Sequence, residues 1–113
     1  MDSEFVQVTT TFESEDDAQA LAGHLVGARL AACVQVVGPI SSTYRWKGEV
    51  ENAKEWMCLI KSRAALAARI IGAIGEQHSY EMPEITVIPI VSGSAGYLDW
   101  IEAETNEESD LGV

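Results

Sequence analysis

The chain has 113 residues, 47% of them hydrophobic, and a formal net charge of −11. This composition predicts one globular domain over residues 1–113 that can bury a core, and it excludes a disordered chain. The charge argues against nucleic acid or an anionic membrane as partner, because both are polyanions. No apolar run approaches the roughly 20 residues that cross a bilayer.

The cellular compartment is suggested by the N-terminus and the two cysteines. Residues 1–4 are acidic where a signal peptide would be basic and apolar. Cys33 and Cys58 lack the CxxC spacing of a zinc or redox site, and in a reducing compartment such thiols are usually small buried hydrophobes. We therefore expect a cytoplasmic protein, with a frayed acidic tail over about residues 106–113.

The first two predicted elements are a strand and a helix. Phe5–Phe12 alternates and is rich in β-branched residues, which predicts a strand. Ser14 precedes a run with acids in its first turn and Asp17 three residues on, which predicts a capped helix. Gly27 marks the end of that helix.

A long hairpin follows. Residues 31–37 form an apolar strand that Gly38 and Pro39 interrupt, and such an interruption indicates a bulge or an edge. Extended character then resumes as far as Trp46. The Lys47-Gly48 pair predicts a tight turn with glycine in the left-handed region, and residues 50–61 return as the third strand.

The second half of the chain predicts a helix, a strand and a last helix. Ser62 is the expected cap of the first of these helices, whose apolar stripe contains Leu66, Ile70, Ala73 and Ile74. Residues 85–91 form the fourth strand, and Pro89 within it predicts an edge position. Residues 97–104 form the last helix.

The order of these elements predicts an α+β fold, a ferredoxin-like βαββαβ subunit with an extra C-terminal helix. The β-hairpin is too long for a sheet of this size. It carries Tyr44, Trp46 and Trp56 towards its far end, beyond the reach of the two helices. Long strand edges with aromatic residues usually need a partner, so we expect self-association.

Several stretches of this chain, in order and with their spacing, resemble one protein family. The resemblance runs from about Val6 to Thr105 and is identified as one to the CutA family of divalent-cation tolerance proteins. Its motifs are RLAACVQV at 29–36, YRWKGE at 44–49, LIK at 59–61, HSYEMPEI at 78–85 and YLDWI at 97–101.

The resemblance implies a homotrimer built through the long hairpin strands, and a link to tolerance of copper and other divalent metals. Tyr44, Trp46 and Trp56 are the expected trimer-interface residues. The family is similar in assembly to the PII signalling trimers, which bind small molecules in the clefts between subunits.

The expected metal residues are His78, Glu81 and Cys33. Some family members are assigned copper at a cysteine near the end of the first strand and at paired histidines, but the matching positions here are Thr10 and Gln77. The resemblance therefore implies only weak binding of Cu²⁺ or another divalent cation, since one imidazole holds a metal loosely. The alternatives are a structural hydrogen bond from His78 to a neighbouring subunit and a core position for Cys33.

Lys61, Glu84 and Tyr44 are the expected residues of a ligand cleft between subunits. Lys61 could neutralise an anionic ligand, or it could simply blunt a strand edge. Glu84 could contact a cation, or it could bond the backbone amides that precede the last strand. Tyr44 could line the pocket or pack at the interface.

The sequence contains no P-loop, no dinucleotide fingerprint and no Gly-x-Ser-x-Gly motif, so we expect a protein that is not an enzyme. Three hypotheses stay open. The protein is a metal-tolerance protein that binds divalent ions weakly, a PII-like regulatory trimer that senses a small metabolite, or a structural trimeric scaffold.

Overall fold

A computed structural model describes residues 3–106, which contain one β-sheet and three α-helices. The acidic tail that we expect to be frayed lies almost wholly outside the described residues. The elements are β1 (Phe5–Phe12), α1 (Glu15–Gly27), β2 (Cys33–Trp46), β3 (Glu49–Arg63), a short 3-10 helix (Ala64–Leu66), α2 (Ala67–Gln77), β4 (Ile85–Pro89) and α3 (Ala95–Glu104).

The four strands form one antiparallel sheet in the order β2-β3-β1-β4. This order, with α1 and α2 connecting the strands, is the ferredoxin-like arrangement, and α3 is the additional C-terminal helix. The predicted fold class is therefore confirmed. β4 lies at one edge of the sheet, as Pro89 predicts, and β2 lies at the other.

The hydrophobic core lies between α1, α2 and one face of the sheet. Alternate residues of β1 point into it, which is why Val6, Val8, Thr10 and Phe12 are buried on this face while Gln7, Thr9 and Thr11 belong to the other face. The helical segments contribute apolar side chains to this core, and the stripe predicted for the second helix is buried. The buried residues are Ala18, Leu21 and Leu25 of α1, Leu66 of the 3-10 helix, and Ile70, Ala73 and Ile74 of α2.

One of the two predicted helix caps is confirmed and the other is wrong. The backbone N–H of Asp17 donates to Ser14 Oγ at 3.0 Å. Ser62, in contrast, is fully buried inside β3, where it pairs with Val6 and donates its hydroxyl to the carbonyl of Leu30 at 2.6 Å. Because this buried bond satisfies the Ser62 hydroxyl, the side chain does not cap a helix. Ser62 instead belongs to β3, which continues to Arg63.

The hairpin extends well beyond the rest of the fold. Lys47 and Gly48 form its turn with φ values of 49° and 84°, as the sequence predicts. The molecule measures 52 × 29 × 22 Å, and its radius of gyration is 15.0 Å. A compact domain of this length would have a radius of gyration of about 13 Å.

The expected bulge lies at Gly38 and Pro39. Val37 pairs with Met57 and the next pair is Ile40 with Glu55, so two residues of β2 stand opposite one residue of β3. Trp56 lies under the bulge. A Cβ added to Gly38 would collide with the ring of Trp56, so the position favours glycine.

The face of the sheet opposite the core exposes several large apolar side chains. The strand register places Val37 and Ile88 on this face, with 43% and 50% of their surface exposed. On α3, Tyr97 and Trp100 are 42% and 41% exposed. None of the helices in residues 3–106 is long and apolar enough to cross a membrane.

Candidate ligand cleft and the His78 loop

His78 begins the loop between α2 and β4, and its ring is held on three sides. Nε2 lies 2.6 Å from the carbonyl oxygen of Thr11, and the backbone N–H of Tyr80 donates to Nδ1 at 3.1 Å. The ring also stacks on Phe12 with centroids 4.2 Å apart and an interplanar angle of 9°. Because Nδ1 accepts from an N–H and Nε2 faces a carbonyl, the arrangement requires a neutral ring protonated at Nε2.

The geometry of His78 leaves no free lone pair for a metal ion. Its structural hydrogen bonds join β1 and the loop within one chain, and neither is directed at a neighbouring subunit. A metal ligand at this position would first have to break the bond from Tyr80 or turn the ring away from Thr11. The predicted metal role of His78 therefore stays a prediction.

Beyond His78, the loop and the hairpin enclose a cleft of about 640 Å³. Its walls contain hydroxyl, aromatic and carboxylate side chains from four segments of the chain. The lining residues are Thr11, Ser42, Thr43, Tyr44, Trp46, Glu55, Ser79, Tyr80, Glu81, Met82 and Glu84. Two of the three predicted ligand-cleft residues, Tyr44 and Glu84, therefore lie in one cavity.

A hydrogen bond between Tyr80 and Glu55 closes the base of the cleft. Tyr80 Oη donates to Glu55 Oε2 at 2.8 Å, and Glu55 is only 6% exposed. Burial, followed by the hydrogen bond and the charge of Glu55, raises the pKa of Tyr80 above its ordinary value, so the phenol stays a neutral donor.

The rim of the cleft carries weaker contacts. Lys47 Nζ lies 3.7 Å from Glu81 Oε1, but both side chains are more than two thirds exposed, so this ion pair contributes little. Glu84 is exposed, and within the described residues it makes no hydrogen bond to the backbone amides that precede β4.

The strand register gives the outer hairpin two faces of different charge. Tyr44 pairs with Glu51 and Trp46 pairs with Glu49, and directly opposed residues share a face, which here is the face of Glu55. Arg45 and Lys54 lie on the opposite face by the same rule. The cleft is therefore bordered by acids and aromatic rings.

The remaining predicted site residues lie outside the cleft. Lys61 donates to Gln35 Oε1 at 2.8 Å, further along the sheet. Cys33 is half-buried near Tyr97, whose pKa is raised above its ordinary value, first by burial and then by an electrostatic interaction with Cys33. Cys58 is fully buried as expected, and burial raises its pKa to about 11.

The three predicted metal residues do not come together. His78 and Glu81 share the loop, while Cys33 lies at the start of β2. In the part of the chain that the structure describes, no group of three His, Cys, Asp or Glu side chains is placed to hold an ion. Thr10 and Gln77 supply no ligand either, since Thr10 is fully buried and Gln77 is exposed at the end of α2.

Sequence reasoning missed Glu55 and the role of Tyr80. Glu55 lies where β3 changes from polar to apolar residues, and a lone glutamate at such a point resembles a solvated strand residue. The only available signal was that Glu55 directly precedes an apolar run that starts at Trp56, which places Glu55 at the border of the buried part of the strand. The prediction that Trp56 lies on the part of the hairpin beyond the core is wrong, because Trp56 is half-buried against the core, while Tyr44 and Trp46 are exposed.

Comparison with known proteins gives one family. A family model described as CutA1 divalent ion tolerance protein matches residues 6–104. The divalent-cation tolerance protein CutA of Thermus thermophilus is 39% identical over 98 residues, which cover 87% of this chain and 95% of that protein. The chloroplastic protein CutA 1 of rice is 33% identical over 102 residues, 90% of this chain, but the chain spans only 58% of the rice protein.

Solved structures agree with these matches. A crystal structure of CutA from Xylella fastidiosa, 33% identical, superposes with a TM-score of 0.89 over 92% of this chain and 100% of that one. The divalent cation tolerance protein of Thermus thermophilus, 37% identical, superposes with a TM-score of 0.87 over 90% of this chain and 99% of that one.

Proposed function

Because the chain belongs to the CutA1 family of divalent ion tolerance proteins, we propose that it acts in the response to divalent cations, copper among them, as a homotrimer that holds such ions weakly. The observation that carries this proposal is the family match over residues 6–104. We also propose a cytoplasmic location, which the free thiols of Cys33 and Cys58 support.

The exposed apolar face supports self-association. Val37, Ile88, Tyr97 and Trp100 are each more than 40% exposed, and exposed apolar surface of this kind commonly marks an interface. β2, one of the two strands of the projecting hairpin, lies at the edge of the sheet, so its unpaired backbone groups can pair with another copy of the chain. Tyr44, Trp46 and Trp56 remain the proposed interface residues.

The trimer is tested by light scattering coupled to size exclusion at moderate salt. Salt is needed because three copies would together carry three times the −11 charge of one chain, and salt screens that repulsion. The expected mass is three times 12.2 kDa. Trp46→Ala should weaken assembly, while Val26→Ala on exposed α1 should not. A wild-type mass of one chain would contradict the proposal.

Weak rather than tight metal binding is supported by the loop geometry. Both His78 nitrogens are engaged, and Glu81 is exposed beside Lys47. Calorimetry of copper binding to wild type and to His78→Ala at substantial salt tests this. We expect weak wild-type binding that His78→Ala reduces, and coincident isotherms would rule out metal binding at this loop. Tight wild-type binding would instead point to Cys33 as a further donor.

A binding role rather than catalysis is also proposed. His78 is the histidine nearest the cleft, and its hydrogen bonds to Thr11 and Tyr80 leave it no nitrogen with which to accept a proton. Turnover that is lost in His78→Ala would contradict this view.

A second candidate function, a PII-like regulatory trimer that binds a small metabolite, is favoured by the size of the cleft. About 640 Å³ lies within the range of pockets that take organic ligands and far exceeds the space that a single ion needs. A thermal-shift panel distinguishes the candidates, because a ligand that binds only the native state raises its stability. A shift with copper alone supports the first candidate, and a shift with a metabolite alone supports the second.

A further inference from the structure

We propose that the cleft binds a small organic molecule that carries a protonated amine, with Glu55 as the group that receives the ammonium head. This inference rests on the second proposed function, ligand binding in the cleft, and names the chemistry of that ligand. It is carried by the buried carboxylate, by the aromatic walls and by the charge of the hairpin face.

Glu55 has one carboxylate oxygen, Oε1, that can accept a hydrogen bond from a ligand. It is 6% exposed, yet it lines the cleft, and its Oε2 accepts from Tyr80. Within residues 3–106 the recorded donor to this carboxylate is Tyr80, and Oε1 is not one of the fully buried atoms without a partner, so it is available to a ligand in the cleft. A buried carboxylate is costly unless a donor or an opposite charge compensates it. An ammonium group in the cleft would supply both the charge and the N–H donor.

The walls of the cleft suit a cation with an organic body. In the single chain Tyr44 and Trp46, which we also propose as interface residues, are 43% and 36% exposed, and Tyr80 lines the cleft with them. Aromatic faces attract ammonium groups, and Lys47 Nζ already lies 5.6 Å from the centre of the Trp46 ring. The same rings offer apolar surface to the rest of a ligand.

The carboxylates that line the cleft differ in exposure. Glu55 is buried, while Glu81 and Glu84 are exposed. In the described residues, no three such groups converge closely enough to hold an ion. This spacing fits an extended cation better than a bare metal ion.

The charge of the surroundings excludes an anionic ligand as the best fit. Glu49 and Glu51 share the face of the cleft, and Arg45 and Lys54 lie on the other face of the hairpin. Lys47 at the rim is paired with Glu81, and Lys61 is bonded to Gln35 away from the cleft. An anion would therefore meet mainly negative potential.

The test uses three probes with one ring and three charges: benzylammonium, benzyl alcohol and benzoate. Each is titrated into the full-length protein at neutral pH while the indole N–H signal of Trp46 is followed by NMR. We expect benzylammonium to bind about tenfold tighter than benzyl alcohol, and benzoate to produce no shift. Glu55→Gln should remove the preference for benzylammonium, and Glu76→Gln on exposed α2 is the matched control.

The rim supplies a second variant in case Glu55→Gln does not fold. Glu84→Gln changes an exposed residue, and it should weaken benzylammonium while leaving benzyl alcohol unchanged. If neither variant alters the preference, the assignment of the carboxylates is wrong.

The other outcomes separate this inference from the proposals on which it builds. Equal binding of all three probes would overturn the amine assignment while the cleft remained a ligand site. Binding of none would overturn both. Copper added to the same samples is the last arm. Copper binding without benzylammonium binding, or displacement of benzylammonium by copper, would favour the metal function over this inference.

Discussion

The imidazole of His78 lies flat on the phenyl ring of Phe12, with ring centroids 4.2 Å apart and planes 9° from parallel. Phe12 is the last residue of β1 and is 1% exposed, so the stack fastens the start of the loop to the core. The loop that forms one side of the cleft is therefore fixed where it leaves α2.

His78→Ala should lower the free energy of unfolding by about 2 kcal/mol, because it removes the ring stack and two hydrogen bonds. His24 is exposed in the last turn of α1, and His24→Ala should change stability by less than about 0.5 kcal/mol. Urea denaturation of both variants gives the comparison. Equal losses would show that the ring stack and hydrogen bonds of His78 contribute nothing to the free energy of unfolding.

Thr10→Val should stabilise the protein by about 1 kcal/mol, since Thr10 is fully buried and within residues 3–106 its hydroxyl has no hydrogen-bond partner. Valine keeps the shape and removes the unsatisfied group. The measurement is the shift in the urea midpoint at constant slope. Thr9→Val, in the neighbouring position on the other face, serves as the comparison. A destabilised Thr10→Val variant would mean that the hydroxyl has a partner in solution.

Stability should fall at alkaline pH partly through Cys58. Burial raises its pKa from 9.0 to about 11, so the folded protein keeps the thiol neutral after the unfolded chain has begun to ionise. This contribution is complete below pH 9.0 and is lost as pH rises through about 11. Cys58→Ala should unfold with a smaller loss of stability over that interval, measured by denaturant titration at several pH values. Parallel pH profiles would contradict the shifted pKa.

Tyr80→Phe should cost about 1–3 kcal/mol, because it removes the donor to a buried carboxylate and leaves Glu55 uncompensated. Adding Glu55→Gln should recover part of the loss, since the amide carries no charge. A double-mutant cycle measures this coupling. Strictly additive losses would show that the two groups do not interact in solution.

Much of the fold follows from local sequence signals. The alternation in Phe5–Phe12, the Lys47-Gly48 turn and the Ser14 cap depend on neighbouring residues alone, and each forms as predicted. The Ser62 cap fails for the opposite reason. Its hydroxyl bonds to Leu30, 32 residues away in the chain, and such a partner is not visible in a local pattern.

The site was only partly predictable for the same reason. Tyr44 and Glu84 line a cavity within one chain, while the cleft between subunits in which they are expected stays a prediction. Lys61, the third residue expected in that cleft, instead donates to Gln35 elsewhere on the sheet. Glu55 acquires its role from Tyr80, 25 residues later, so its importance depends on a tertiary contact.

The bulge at Gly38 and Pro39 determines which side chains of β2 share the face of the cleft. Strand residues alternate between faces, so one extra residue in β2 moves every later side chain to the opposite face. If regular pairing continued from Val37 and Met57 without the bulge, Arg45 would stand opposite Glu49 and the aromatic side chains of Tyr44 and Trp46 would lie on the other face. An acidic, aromatic surface would then carry a basic residue in place of two rings, without any change in composition. The cation preference that we propose for the cleft thus depends on the number of residues in β2 as well as on their identity.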